Sequence, residues 1–327
     1  MKLKFKGYIL GGIATCLLSL SLMGCGSEAV SKEIVAFQND GEISVVTTIF
    51  PIYDWAKNIA DGVEGVSITL LNDTGADPHS FQSSARDIMD IASSDLFIYV
   101  GGQSDTWAED AVNSSKGINA LRLMDELGDR ARYLELSEAL KSPHAHAHLD
   151  EPDEHVWLSL RNAQIFCDKI AQRLIAIDKE NEESYLSNLE SYKKSLAQLD
   201  EEYARMLEEK EARELIFGDR FPFLYFVSDY GLDYYAAFLG CNAESEASFD
   251  VVSFLSQKIN ELKPKAIFTI EKSDQKIARA IIENSKEKET EIKSLNSIQA
   301  VSKEEIQNGA SYIEFMASNL ELLREWL

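Results

Sequence analysis

The sequence predicts an α/β fold of two lobes, each a mostly parallel four-stranded sheet flanked by helices, joined by one long α-helix. Three observations carry this. Short apolar runs alternate with helical patterns in two separate sets of four. A single amphipathic stretch lies between the sets. Its length of nearly thirty residues contains no glycine or proline.

In the first set, "EISVVTTIF", "VSITLLND", "DLFIYVG" and "ALRLMDE" read as buried strands. In the second, "ELIFGD", "LDYYAAF", "KAIFTIE" and "TEIKSLN" do so. Continuous apolar strands separated by helices indicate parallel sheets covered on both faces. Between the sets, Tyr185, Leu189, Tyr192, Leu196, Leu199, Tyr203 and Met206 step by fours and threes. That spacing puts them on one helix face, with Glu, Lys and Ser towards water. The expected boundaries are a first lobe over 42–180, a linking helix over 181–212 and a second lobe over 213–327.

The N-terminus "MKLKFKGYILGGIATCLLSLSLMGCGS" has a basic start, an apolar run and then small residues before a cysteine. This pattern is an export signal over 1–24. Its "LMGC" ending resembles a lipobox, which makes Cys25 the lipidated residue and 25–41 a polar tether. The expected location is the extracytoplasmic face of the cell membrane. The chain of 327 residues carries a formal charge of −23, and loss of Lys2, Lys4 and Lys6 with the signal takes it to −26. Such a balance argues against nucleic acid as a partner. Of the four cysteines, Cys167 and Cys241 remain after the signal and the lipid site; they read as two buried thiols rather than a disulfide.

Histidine is scarce and unevenly placed. Four of the five, His144, His146, His148 and His155, fall in "SPHAHAHLDEPDEHVWLSL", and His79 stands upstream in "TGADPHSFQSS". Neutral imidazole and carboxylate are ordinary ligands of borderline divalent metals. Ligands of open parallel sheets bind beyond the carboxyl ends of the strands. That rule selects His79, the loop with His155, Asp219 at the end of "ELIFGD" and Glu271 at the end of "KAIFTIE". These four are the expected metal ligands. His144, His146 and His148, in a loop over 142–154, read as an auxiliary collector of metal.

Taken in order, the residues resemble the zinc and manganese solute-binding lipoproteins of ABC importers. "VVTTIFPIYDWAKNIADG" is similar to the family's first strand and helix, "DPHSFQSSARDIMDIASSDLFIYVGG" to its first-ligand loop, and "DEHVWLSLRNA" to its second-ligand motif. The histidine-rich insert resembles the zinc-type members, and "GASYIEFMASNLELL" the C-terminal helix. The resemblance implies His79 and His155 as ligands, an ABC permease as partner, a monomer and no enzymatic activity. It implies Zn²⁺ as the transported ion, with Mn²⁺ as the alternative. The second lobe departs from the pattern: Gly218 and Gln299 stand where the resemblance places the third and fourth ligands. A glycine tolerates unusual backbone angles, so Gly218 is expected to let Asp219 turn into the cleft.

Two other classes compete. A zinc hydrolase needs an open metal position beside a general base, but the chain has neither H-E-x-x-H nor G-x-S-x-G. A receptor for an organic metal complex, or an adhesin, would use aromatics such as Trp107, Tyr225 and Tyr235.

Overall fold

The computed structural model describes residues 42–115, 117–134, 151–238 and 247–327. The expected signal and tether, Cys25, His144, His146, His148 and Cys241 lie outside the described residues.

The first sheet holds β1 (Ile43–Thr47), β2 (Val66–Leu70), β3 (Leu96–Tyr99) and β4 (Ala120–Arg122), all parallel in the order β2-β1-β3-β4. The second holds β5 (Glu214–Phe217), β6 (Asp233–Ala236), β7 (Ala266–Ile270) and β8 (Glu291–Leu295), parallel in the order β6-β5-β7-β8. All eight expected runs contain a strand. The inner strands β3 and β7 are buried along their whole length, as strands covered by helices on both faces must be. Each order reverses between its two central strands, and the crevice at such a reversal is where doubly wound sheets present ligands.

The helices are α1 (Phe50–Ile59), α2 (Ala85–Ser93), α3 (Thr106–Ser114), α4 (Leu160–Ile177), α5 (Glu182–Glu208), α6 (Leu224–Tyr230), α7 (Phe249–Leu262), α8 (Lys276–Asn284), α9 (Lys303–Gln307) and α10 (Tyr312–Trp326). Local chemistry sets several of their starts. Ser84 and Asp87 form a reciprocal capping box on α2, and Ser302 and Glu305 form one on α9; each satisfies backbone N–H groups that no helical carbonyl reaches. Ser159 caps α4 by accepting from Asn162 N–H.

The linking helix α5 has 27 residues, about 40 Å at helical rise. It buries Tyr185, Tyr192, Leu196, Leu199, Tyr203 and Met206 as the spacing predicts, with Leu189 half-buried. It ends before Lys210, earlier than the expected 212. Lys210 leaves the helix path to donate through Nζ to the carbonyls of Arg324, 2.6 Å, and Leu327, 3.3 Å. A cation there suits the electron-rich C-terminus of α10.

One apolar core runs through both lobes, joining Val45, Trp55 and Phe166 to Phe217, Phe226 and Tyr312. Polar ties cross between the lobes as well. Trp157 Nε1–H donates to Ser297 O at 2.8 Å, and Arg130 Nη2 meets Asp229 Oδ1 at 2.7 Å. Tyr225, one of the aromatics that a receptor for an organic metal complex would use, is buried and donates its hydroxyl to Asp153 O at 3.0 Å. Trp107 packs against Phe81 at 5.3 Å between ring centroids. Cys167 is a buried thiol of α4. Among the described residues no helix is long and apolar enough to cross a membrane.

Candidate metal centre

His79 lies in a short 3-10 turn, Pro78–Ser80, on the loop that follows β2. Asp77 caps this turn, its Oδ1 accepting from His79 N–H at 3.0 Å. The other Asp77 oxygen, Oδ2, pairs with Arg220 Nη1 at 2.6 Å. Burial pushes the Asp77 carboxyl up, but the Arg220 hydrogen bond and charge outweigh it and hold the group below its usual range. The first-ligand loop is thus tied to the second lobe by an ion pair next to its histidine. Lys272 adds a second tie by donating to Gly75 O at 2.9 Å.

His155 sits just before α4 and is 2% exposed. Asp153 Oδ1 accepts from its backbone N–H at 2.9 Å and lies 3.0 Å from its Nδ1. In the tautomer that donates Nδ1–H to this oxygen, Nε2 is the nitrogen able to coordinate. Carboxylates behind metal-binding imidazoles do this same orienting work. Trp157 packs against the ring at 5.2 Å.

The two rings lie 5.6 Å apart between centroids, and beside His79 stands Glu154, 7% exposed. Its Oε1 lies 3.4 Å from His79 Nδ1, while Oε2 accepts from Ser104 N–H at 2.9 Å and Ser104 Oγ–H at 2.7 Å. Room for it comes from Gly102, where an added Cβ would fall 2.2 Å from Glu154 Cβ. One ligand atom from each of His79, Glu154 and His155 lies within 4.8 Å of the others. Tetrahedral zinc ligands at ~2.1 Å stand about 3.4 Å apart. A zinc ion bound there would need the three atoms near that spacing, and His79 is the exposed member of the group, on a loop. Two nitrogens and one carboxylate oxygen match zinc chemistry.

Asp219 and Glu271 do not belong to this group, contrary to the strand-end expectation. Asp219 Oδ1 accepts from Arg220 N–H at 2.8 Å, and its Oδ2 lies 3.4 Å from Ile270 N–H. The second contact ties the ends of β5 and β7 together. Both oxygens of Glu271 accept from Ser297, Oε2 from the backbone N–H at 2.7 Å and Oε1 from Oγ–H at 2.6 Å. They hold a loop in which Ile298 adopts a left-handed φ of 59°. Gly218 is not in the left-handed region. Its requirement is steric: a Cβ there would fall 2.6 Å from Ala278 Cα, so α8 packs where a side chain would project. Gln299 is buried at 3% exposure.

Glu154 was missed by reasoning from strand ends, since it belongs to no strand end. The available signal was its position beside His155 in a loop, where two adjacent side chains can converge.

Asp105 anchors the loop that carries Gly102 and Ser104. Its Oδ2 accepts from Val100 N–H at 2.7 Å and Gly101 N–H at 3.2 Å. Burial dominates and pushes its carboxyl up to about 6. Between the ordinary 3.8 and about 6, the folded protein holds a proton that the unfolded chain has lost. Stability from this group is therefore lost as pH rises through that window, by on the order of 3 kcal/mol. Asp105→Asn keeps an acceptor and cannot ionise, so its melting temperature is expected to fall less than the wild type's between pH 4 and pH 6. Parallel curves for the two proteins would refute this.

Two doubly wound lobes, one long joining helix and a histidine–carboxylate group at their boundary define the architecture of a two-lobed solute receptor. A family model described as "ZnuA: Zinc-uptake complex component A periplasmic" matches residues 45–326, and the chain belongs to that family. Among curated relatives, the high-affinity zinc uptake system protein ZnuA of Bacillus subtilis is 29% identical over 326 residues, covering 96% of each chain. The zinc-binding protein AdcA of Streptococcus pyogenes is 27% identical over 308 residues. The match covers 90% of this chain but 57% of AdcA, so the chain spans little more than half of that relative's length. The crystal structure of the metal-dependent lipoprotein YcdH from Bacillus subtilis superposes with a TM-score of 0.70 at 27% identity, covering 88% of this chain and all of that one.

Proposed function

We propose that this protein is an extracytoplasmic receptor that captures Zn²⁺ and delivers it to the permease of an ABC importer. His79, Glu154 and His155 are the ligands in this reading. The observation that carries it is the convergence of these three side chains at a position where the first lobe's ligand loop meets the second lobe. Membership of the zinc-uptake family supports transport rather than hydrolysis, and the names of ZnuA and AdcA support zinc over manganese. Lipid attachment at Cys25 and a monomeric state complete the proposal. The lipid is supported by the "LMGC" sequence and by YcdH being a lipoprotein.

Elemental analysis of the purified full-length protein tests the cargo. One zinc per chain, displaced by a strong chelator and restored by zinc, is the expected result; stoichiometric manganese instead would overturn it. In this reading His144, His146 and His148 raise the local zinc concentration without completing the high-affinity site. Deleting 143–150 is expected to leave zinc affinity within about threefold of wild type, since a collector adds no fixed ligand, and to slow growth only when zinc is scarce. Loss of tight binding on deletion would make that loop a source of ligands.

A further inference from the structure

The zinc reading leaves unexplained why Glu154 is held so tightly on one side only. Each carboxylate oxygen offers two lone-pair positions. Ser104 fills both on Oε2, one with its backbone N–H and one with its hydroxyl, while Oε1 is the oxygen beside His79. The clamp is built in. Glu154 is nearly buried, Gly102 lies against it where no Cβ fits, and Asp105 fixes the turn from below.

We propose that Ser104 is a specificity-determining residue: by occupying Oε2 it keeps Glu154 monodentate and so favours four-coordinate zinc over manganese. The chemistry follows from the two ions. Zinc is satisfied by two imidazoles, one carboxylate oxygen and one further ligand. Manganese suits oxygen donors in a larger, six-coordinate shell. A carboxylate able to swing both oxygens onto the metal would supply such an extra donor. Ser104 denies it. Ser104 touches no metal in this account and acts through the ligand beside it, and the inference rests on the metal reading of the His79–Glu154–His155 group.

The test compares full-length wild type with Ser104→Ala, Ser104→Thr and Glu154→Gln. Zinc and manganese dissociation constants are measured by chelator competition, and Co²⁺ absorption reports coordination number. Ser104→Ala opens one lone-pair position on Oε2. It is expected to narrow the ratio of manganese to zinc dissociation constants by about tenfold, the scale of one hydrogen bond to a charged group. Its Co²⁺ absorption should weaken as the shell expands. Ser104→Thr keeps the hydroxyl and should restore both. An unchanged ratio in Ser104→Ala, whether both affinities hold or both fall together, overturns the inference and reduces Ser104 to a loop anchor. A weak, six-coordinate Co²⁺ spectrum in the wild type overturns it without any variant. Wild-type zinc affinity in Glu154→Gln is a different failure, since it removes Glu154 from the site and withdraws the underlying reading as well.

Discussion

His155→Ala is expected to weaken zinc binding by at least about a hundredfold, near 2.7 kcal/mol. The ring is 2% exposed, and Asp153 Oδ1 at 3.0 Å from Nδ1 holds it in place. Alanine removes the nitrogen and leaves no neighbouring side chain of the same kind to replace it, because the other described histidine, His79, already belongs to the group. It also strips Asp153 of one of its two partners on residue 155 while keeping the backbone one. A fall in melting temperature should therefore accompany the loss of affinity. His79→Ala is expected to cost more than tenfold but less than His155→Ala. His79 is exposed on its loop, so water reaches the vacated position more easily. Competition with a chromophoric chelator decides it. An His155→Ala protein with wild-type affinity would dismantle the site.

The fold was legible because its signals are local. A strand covered on both faces has to be apolar throughout, and β3 and β7 are; a helix laid along a core has to repeat its apolar residues by threes and fours, and α5 does. Scarcity drew attention to His79 and His155, and the structure brings the two together. The carboxylates were not legible, and the reason is physical. Asp219 and Glu271 do stand at strand ends, as the strand-end rule requires, yet what a carboxylate does there depends on which donors lie within reach. Beyond the adjacent Arg220 N–H, those donors are Ile270 N–H, 3.4 Å away, for one and Ser297 for the other, and both are set by tertiary packing. Gly218 misled in a similar way. Its lack of a side chain suggests backbone freedom, whereas the cause is the closeness of Ala278, sixty residues later in the chain. Glu154 depends on a bond to Ser104, fifty residues earlier. No spacing rule spans such a distance.

Glu154→Ala separates the two accounts of the third ligand most sharply. It is expected to weaken zinc binding by more than tenfold, because it removes the one carboxylate oxygen in the group and leaves two imidazoles with solvent. Asp219→Ala and Glu271→Ala are expected to keep zinc affinity within about threefold of wild type and to lose stability instead. Each leaves backbone donors without their acceptor, and such a loss costs about 1–3 kcal/mol. Glu271→Ala should be the more damaging of these two. It gives up both bonds to Ser297, beside Ile298 held at a left-handed φ of 59°, a strained conformation for a β-branched residue. Calorimetric titration of the three variants, paired with thermal melts, reads both quantities on the same samples. Glu154→Ala should lie far from wild type in affinity and Glu271→Ala far from it in melting temperature. If Asp219→Ala instead loses affinity on the scale of the histidine variants, the second lobe closes onto the metal after all, and His79, Glu154 and His155 are only the half of the site contributed by the first.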